Sequence, residues 1–199
     1  ANQGWKDSHD SVFHADGSSP QGPIALIEVQ GYAYAALLGM ARLARDRGDK
    51  PAAARWDSLA GQLAQRVEEA FWLDDLQFYA LALDGAGRPC RVRSSNAGHL
   101  LFTGLPMPER GRVVAQQLMS GVFDSGWGIR TLPVGRARFK PMSYHNGSVW
   151  PHDVALCAAG IARYGERDGV LKLLEQLFEA ASEFGMRLPE LFCGFERAA

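Results

Sequence analysis

Carboxylates, imidazoles and indole rings are concentrated in five short segments that lie far apart in the sequence. These segments are GWKDSHD, SSNAGH, GWGIRTL, SYHNGSVWPHD and RLPELF. Aromatic rings suit the C–H face of a polyhydroxylated molecule, and planar polar groups suit its hydroxyls. If the five segments meet in the folded chain, we expect them to bind a neutral carbohydrate.

Two carboxylates in these segments are the groups best suited to do chemistry. Asp7 lies in GWKDSHD near the start of the sequence, and Glu190 lies in RLPELF near its end. Two carboxyls on opposite sides of a bound sugar are what glycoside hydrolysis requires. We predict that Asp7 and Glu190 form this pair, although Asp7 also suits a helix N-cap and Glu190 also suits an ion pair with Arg187 or Arg197.

The other residues of these segments, together with a polar pair near residue 30, are predicted to bind the substrate. We expect a terminal sugar to lie between three of the indole rings, and we expect Lys6 to point away from Asp7. Burial or the charge of Asp10 should favour a protonated Asp7. Glu28 suits either substrate binding or a structural hydrogen bond. The predicted substrate-binding residues are Trp5, Lys6, Asp10, Glu28, Gln30, Trp127, Arg130, Tyr144, His145, Asn146, Trp150, His152 and Asp153.

Composition and charge exclude several classes of partner. Lys and Arg number 21 against 22 Asp and Glu, so no electrostatic attraction to nucleic acid or to an anionic membrane is expected. No apolar run approaches the ~18 residues of a membrane span. Cys90, Cys157 and Cys193 are too far apart for a disulfide framework or a short-spaced zinc site, which favours a reducing, cytoplasmic location. His9 and His14 have no marked third ligand, so we predict neither a metal nor a cofactor.

Apolar spacing of three and four residues predicts six helices. Between the second and third, FYALALDGAGRPCRV predicts two short strands around Asp84 and Gly85, which we interpret as an appended β-hairpin. Pro23 suits the first turn of the first helix, and Gly48 suits its C-terminal end. The predicted helices span residues 23–47, 51–72, 97–103, 109–120, 148–164 (from Ser148 or Pro151) and 170–184.

The connections between the predicted helices alternate in length. The first, third and fifth connections are short turns, whereas the second and fourth are long, and long loops are usually functional. In antiparallel helices, alternate connections lie at the same end. We therefore expect the opening segment, the two long loops and the C-terminal segment to gather at one end, where all five segments lie.

Six motifs give the chain a resemblance to a known family. NQGWKDS, PIALIEVQGY, SSNAGHLLFTG, SGWGIRTL, YHNGSVWPHD and RLPELFCG resemble bacterial amylo-alpha-1,6-glucosidases, or glycogen-debranching-enzyme-like proteins, over nearly the whole chain. The resemblance implies an (α/α)6 barrel of twelve helices and hydrolysis that inverts the anomeric centre. It also implies that Asp7 is the general acid and Glu190 the general base.

Six helices are half of twelve, so we predict an all-α domain over residues 1–199 that resembles the C-terminal half of this barrel. Half a barrel would leave apolar helix flanks exposed, which two chains would cover by pairing as a homo-oligomer. Two alternatives to hydrolysis of an α-1,6-glucosidic bond stay open. In the first, the substrate is a mannoside or a small glucoside such as trehalose or glucosylglycerate. In the second, the chain is a carbohydrate-binding half that does no chemistry alone.

Overall fold

The computed structural model describes residues 4–198, so Asn2 and Gln3 of the NQGWKDS motif lie outside the described part. Six helices and five two-residue strands follow a long opening segment. In chain order they are β1 (Ala25–Leu26), α1 (Ile27–Asp46), α2 (Lys50–Ala70), β2 (Trp72–Leu73), β3 (Phe78–Tyr79), β4 (Ala82–Leu83), β5 (Pro89–Cys90), α3 (Asn96–Thr103), α4 (Pro108–Leu118), α5 (Pro151–Arg163) and α6 (Arg167–Glu183).

The helices form three hairpins arranged in two layers. Helices α1, α3 and α5 pack side by side as an inner row, and α2, α4 and α6 each pack on their hairpin partner as an outer row. Leucines and valines between the rows, among them Leu100, Val114 and Leu173, are fully buried. This arrangement confirms the predicted all-α class of helical hairpins, three where the full barrel has six.

Two helix starts differ from the prediction by more than one residue. Helix α1 begins at Ile27 rather than at residue 23, because Ala25 and Leu26 form strand β1 and pair with Leu83 and Ala82. Helix α6 begins at Arg167 rather than at residue 170. Its first turn holds the charged residues Arg167 and Asp168, so the spacing of apolar residues does not mark this part of the helix.

The predicted β-hairpin is present but is not an appendage. Strands β4 and β5 pair around Asp84, whose Oδ1 accepts hydrogen bonds from the backbone N–H groups of Ala86 and Arg88. Strand β1 completes a three-stranded sheet in the order β1–β4–β5. The sheet packs against Phe13 of the opening segment in a second apolar core. It therefore helps to fix the segment that carries Asp7.

Helices α3 and α5 cross at glycines. A Cβ on Gly98 would lie 2.2 Å from the Cys157 Sγ, and a Cβ on Gly160 would lie 2.6 Å from the Phe102 backbone nitrogen and 2.7 Å from the Gly98 oxygen. Neither contact is sterically allowed without movement of the helices. The two backbones thus approach as closely as they do because these positions lack side chains.

The most exposed large apolar side chains of the described helices lie on α6 and α1. Leu171, Leu174 and Phe178 of α6 are 54%, 55% and 64% exposed, and Met40 and Leu43 of α1 are 45% and 56% exposed. These are the exposed flanks that half a barrel was expected to have, while pairing of two chains through them stays a prediction. None of the helices in residues 4–198 is both long enough and apolar enough to span a membrane.

Replacing Gly160 by Ala should destabilise the chain by about 1–3 kcal/mol, because the added methyl group would force α3 and α5 apart. The matched control is Gly61→Ala on outer helix α2, where a Cβ would meet nothing within 4 Å. That substitution should stabilise the chain by up to about 1 kcal/mol through helix propensity. Urea unfolding measures the change in the free energy of unfolding for each variant. Equal changes for Gly160→Ala and Gly61→Ala would contradict the close crossing of α3 and α5.

Candidate active site

The five segments meet at one end of the helical layers, as the loop pattern predicted. Backbone bridges join Arg130 to Val149 and Val149 to Phe192, and the Ser95 N–H donates to the Thr131 oxygen at 3.2 Å. The first turns of α1, α3 and α5 lie beside these loops. Helix N-termini stabilise nearby anionic groups, so this end suits carboxylates.

Six rings from three chain segments pack together in an aromatic cluster. Trp5 stacks on His99 with ring centroids 5.5 Å apart, and the ring of Trp150 meets Trp5 edge to face at 5.6 Å. The members of the aromatic cluster are Trp5, His99, Tyr144, His145, Trp150 and His152.

The predicted sugar-binding position between three indole rings is wrong. Trp5 and Trp150 are in direct contact and leave no room for a sugar between them. Trp127 contacts Arg197, whose guanidinium lies 4.5 Å from the indole centroid. A sugar at this end would therefore meet the edge of the aromatic cluster, where Tyr144 is 47% exposed.

A chain of hydrogen bonds connects the three inner helices. The Tyr32 hydroxyl of α1 lies 2.5 Å from Nδ1 of His99 on α3, and Nε2 of His99 lies 2.6 Å from Oδ1 of Asp153 on α5. An ionised carboxylate can only accept, so Nε2 carries a proton, and a neutral imidazole then accepts from Tyr32 at Nδ1. Burial raises the pKa of Tyr32 to about 12, and its hydroxyl therefore remains a donor near neutral pH.

Lys6 extends into the interior, where the charge of Asp153 acts on its ammonium group. Its side chain is 3% exposed, and Nζ donates to the Thr131 oxygen at 2.8 Å. Burial lowers the pKa of Lys6 to about 8, against the opposing effect of the Asp153 and Glu28 charges. A buried Lys6 cannot contact a sugar at the surface, so it leaves the set of predicted substrate-binding residues.

Glu28 is a buried carboxylate with an unusual environment. It is 1% exposed, and neither of its oxygens has a hydrogen-bond partner within residues 4–198. Burial raises its pKa, although Asn96, His99 and Lys6 act in the opposite direction. Gln30, the other predicted binding residue near position 30, donates to the Leu26 oxygen and lines a cavity beside α2.

Asp153 is fully buried and stays ionised. Burial alone would raise its pKa, but the hydrogen bond to His99 and the charges of His99 and Lys6 hold the pKa below its usual value. Asp153 therefore serves as the fixed anion of the interior and not as a group that contacts a sugar.

The two predicted catalytic carboxyls, Asp7 and Glu190, are both exposed. The Tyr144 hydroxyl donates to Oε1 of Glu190 at 2.9 Å. The pKa of Tyr144 is raised by that hydrogen bond and also by the charges of Glu190 and Asp7. Both carboxyls thus lie within electrostatic range of one hydroxyl.

Of the two influences expected on Asp7, burial is absent, because Asp7 is exposed. The influence of the Asp10 charge stays a prediction, and the Asp10 carboxylate accepts a hydrogen bond from Nδ2 of Asn146 at 3.0 Å. Arg197 pairs with Glu179, and Glu190 forms no ion pair with any described residue.

Arg130 supports the backbone of the site. It is 2% exposed, and its guanidinium donates to the oxygens of Gly194 at 2.6 Å, Asp124 at 3.1 Å and Gly121 at 3.4 Å. All three acceptors are backbone carbonyls. The predicted contact between Arg130 and a sugar is therefore replaced by a structural role at the C-terminal segment.

A cavity of about 380 Å³ opens beside Asp7. Its walls are formed by Asp7, Ser8 and His9 on one side and by residues around 19–24 on the other. Apolar side chains such as Ile24 alternate with hydroxyls such as Ser19. The volume lies in the range of small-molecule sites, and the lining suits a compact polyhydroxylated group.

Sequence reasoning missed residues that only the fold brings to the site. His99 lies inside helix α3, and Thr131 contributes a backbone oxygen. A histidine within the apolar run NAGHLLFTG was the one available signal, because a buried imidazole needs polar partners. In the described part of the chain, no three His, Cys, Asp or Glu side chains are arranged to hold a metal ion.

Comparison with known families gives a match over most of the chain. The model of the mannosylglycerate hydrolase MGH1-like glycoside hydrolase domain matches residues 6–187. No curated protein sequence matches the chain. The resemblance stated from the motifs is thus supported at the level of glycoside hydrolases, and not for debranching enzymes in particular.

Solved structures share the fold at low sequence identity. The mannosylglycerate hydrolase from Thermus thermophilus in complex with glucose has a TM-score of 0.75 and 20% identity, covering 86% of this chain and 42% of that one. Neutral trehalase from Saccharomyces cerevisiae has a TM-score of 0.75 and 15% identity, covering 96% and 37%. A protein described as a sialidase has a TM-score of 0.78 and 18% identity, covering 92% and 18%. The chain therefore spans less than half the length of each of these structures.

The burial of Lys6 predicts how stability changes with pH. Below pH 8 both the folded and the unfolded chain hold the Lys6 proton, so the cost of burying the charge is fully present. Between a folded pKa of about 8 and the ordinary value of 10.5, only the unfolded chain holds it. The Lys6 contribution to the free energy of unfolding should therefore rise with pH by about 3 kcal/mol over this interval.

Urea unfolding of the wild type and of Lys6→Met, from about pH 7.5 to about pH 10.5, isolates this contribution as the difference between the two profiles. Lys172→Met is the matched control, because Lys172 is exposed and pairs with Asp124 at 2.6 Å. Its profile should run parallel to that of the wild type. Parallel profiles for Lys6→Met as well would contradict a buried, charged Lys6.

Proposed function

Because the chain belongs to the family of mannosylglycerate hydrolase MGH1-like glycoside hydrolase domains, we propose that it carries both catalytic carboxyls of an inverting glycosidase. Asp7 acts as the general acid and Glu190 as the general base. The substrate is a small glycoside of glucose or mannose.

One observation carries the proposal: two exposed carboxyls from opposite ends of the sequence act on the same Tyr144 hydroxyl. Tyr144 lies at the edge of the aromatic cluster, where a sugar ring can pack its C–H face. Of the other carboxyls at the site, Glu28 and Asp153 are buried, and the exposed Asp10 accepts a hydrogen bond from Asn146. Asp7 and Glu190 are therefore the carboxyls that we infer to be available to a substrate.

In the proposed reaction, protonated Asp7 donates its proton to the glycosidic oxygen as the bond to the leaving group breaks. Ionised Glu190 removes a proton from a water molecule that attacks the opposite face of the sugar ring. This requires carboxyls roughly 6.5–9.5 Å apart, so that the water fits between base and sugar. The Tyr144 hydroxyl, by donating to Glu190, orients that carboxylate.

The cavity beside Asp7 supports a small leaving group. A general acid contacts the oxygen that leaves with the aglycone, so a space with Asp7 in its wall suits the aglycone side. A volume of about 380 Å³ suits a second sugar ring or a short polyol acid better than a long branched glucan. We therefore favour a glycoside such as mannosylglycerate, glucosylglycerate or trehalose over an α-1,6 branch point.

Replacing Asp7 by Asn, or Glu190 by Gln, in the complete gene product that contains this chain should lower kcat at least about 1,000-fold. Each change removes a proton donor or acceptor while keeping size and hydrogen-bonding shape. Sugar binding, measured by calorimetry, should change little. Asp168→Asn in the first turn of α6 is a control away from the site and should keep wild-type kcat. Turnover by Asp7→Asn near the wild-type rate would refute the assignment.

A substrate panel and the configuration of the product test the reaction class. Mannosylglycerate, glucosylglycerate, trehalose and an α-1,6-linked oligosaccharide are offered to the same protein, and proton NMR identifies the first anomer released. We expect the β-anomer from an α-glycoside, with one of the three small substrates hydrolysed fastest. Release of the α-anomer would exclude inversion, and sugar binding without release of product would favour a carbohydrate-binding role.

A further inference from the structure

The residue next to the proposed acid is a buried lysine. Lys6 is 3% exposed, while Asp7 is exposed to solvent. Lysine is almost never fully buried unless it is paired. The side chains of two consecutive residues thus point in opposite directions, one into the helical layers and one toward the substrate side.

Lys6 lies in a polar well formed by all three inner helices and one long loop. Glu28 of α1 and Asp153 of α5 act on its charge, and the Thr131 oxygen accepts its hydrogen bond at 2.8 Å. Nε2 of His99 on α3 lies within hydrogen-bond distance of Oδ1 of Asp153. The ammonium group is therefore hydrogen-bonded to the long loop and attracted by carboxylates on α1 and α5.

The backbone on both sides of Asp7 is fixed as well. The Ser11 hydroxyl donates to the Lys6 oxygen at 2.9 Å, and Oγ of Ser8 lies 2.6 Å from Nδ1 of His145. Burial lowers the pKa of His145, so its imidazole is neutral near pH 7 and can accept from Ser8. Asp7 thus lies between two anchored residues.

We propose that Lys6 is a positioning residue for the general acid. Its ammonium group, inserted in the well of Glu28, Asp153 and the Thr131 oxygen, fixes the backbone of residues 6–8 and with it the carboxyl of Asp7. This inference rests on the proposed function, since it requires Asp7 to act as the acid. A displacement of about 1 Å at a catalytic group costs about 100-fold in rate, which sets the size of the expected effect.

A different role for Lys6 would be the neutralisation of two buried carboxylates. In that case the loss of its charge would be corrected by removing the charge of Glu28 at the same time. A positioning role needs the hydrogen bond to Thr131 in addition, and removing Glu28 would not restore it. The double variant Lys6→Met/Glu28→Gln therefore separates the two roles.

The experiment measures kcat, KM and thermal stability of the complete gene product with its best small glycoside. We expect Lys6→Met to lower kcat by about 100-fold with KM changed less than about threefold. The double variant should recover thermal stability but not kcat. Lys6→Arg, which keeps a charged donor, should retain more kcat than Lys6→Met. Lys172 lies on outer helix α6 and pairs with Asp124, so the Lys172→Met variant should keep wild-type kcat.

Three results would overturn the inference. They are a kcat of Lys6→Met within about threefold of the wild type, recovery of kcat in the double variant, and a loss confined to KM. If Lys6→Met does not fold, the charge-balanced double variant decides. Asp7→Asn is measured in parallel: an active Asp7→Asn refutes the acid assignment and the Lys6 role together, whereas an inactive Asp7→Asn with an active Lys6→Met refutes the Lys6 role alone.

Discussion

The close crossing of α3 and α5 is the contact on which the rest of the site depends. Gly98 and Gly160 let the two backbones touch, which brings His99 within 2.6 Å of Asp153. That pair orients the imidazole that binds Tyr32 and stacks under Trp5. A longer distance between α3 and α5 would separate His99 from Asp153. It would thereby also change the contacts of His99 with Tyr32 and Trp5.

The site combines buried charged side chains with exposed carboxyls that are proposed to be catalytic. Lys6, Glu28 and Asp153 are removed from water, and burying ions costs free energy that their mutual attraction only partly offsets. The same arrangement leaves the carboxyls of Asp7 and Glu190 in solvent, where a substrate can reach them. The interior charges thus hold the loops in place, and the residues beside them are the ones proposed to react.

Much of the fold could be predicted from the sequence. Apolar periodicity identified all six helices, since burial of one helix face imposes the 3.6-residue period regardless of tertiary detail. Alternating loop lengths identified the end at which the five segments meet. The start of α1 and the role of the β-hairpin could not be predicted, because the pairing of Ala25 with Leu83 joins residues that are far apart in sequence.

By itself, the sequence determined the helical class, the end of the molecule where polar segments gather, and the two carboxyls that are candidates for catalysis. Only the tertiary structure decided which polar residues face inward. Lys6 and Asp7 are adjacent and equally polar, yet one is buried and one exposed. The direction of a side chain in a loop follows no period, so it is set by the groups that surround it. For Lys6 these are the Thr131 carbonyl oxygen, which accepts its hydrogen bond, and the carboxylates of Glu28 and Asp153, which attract its charge.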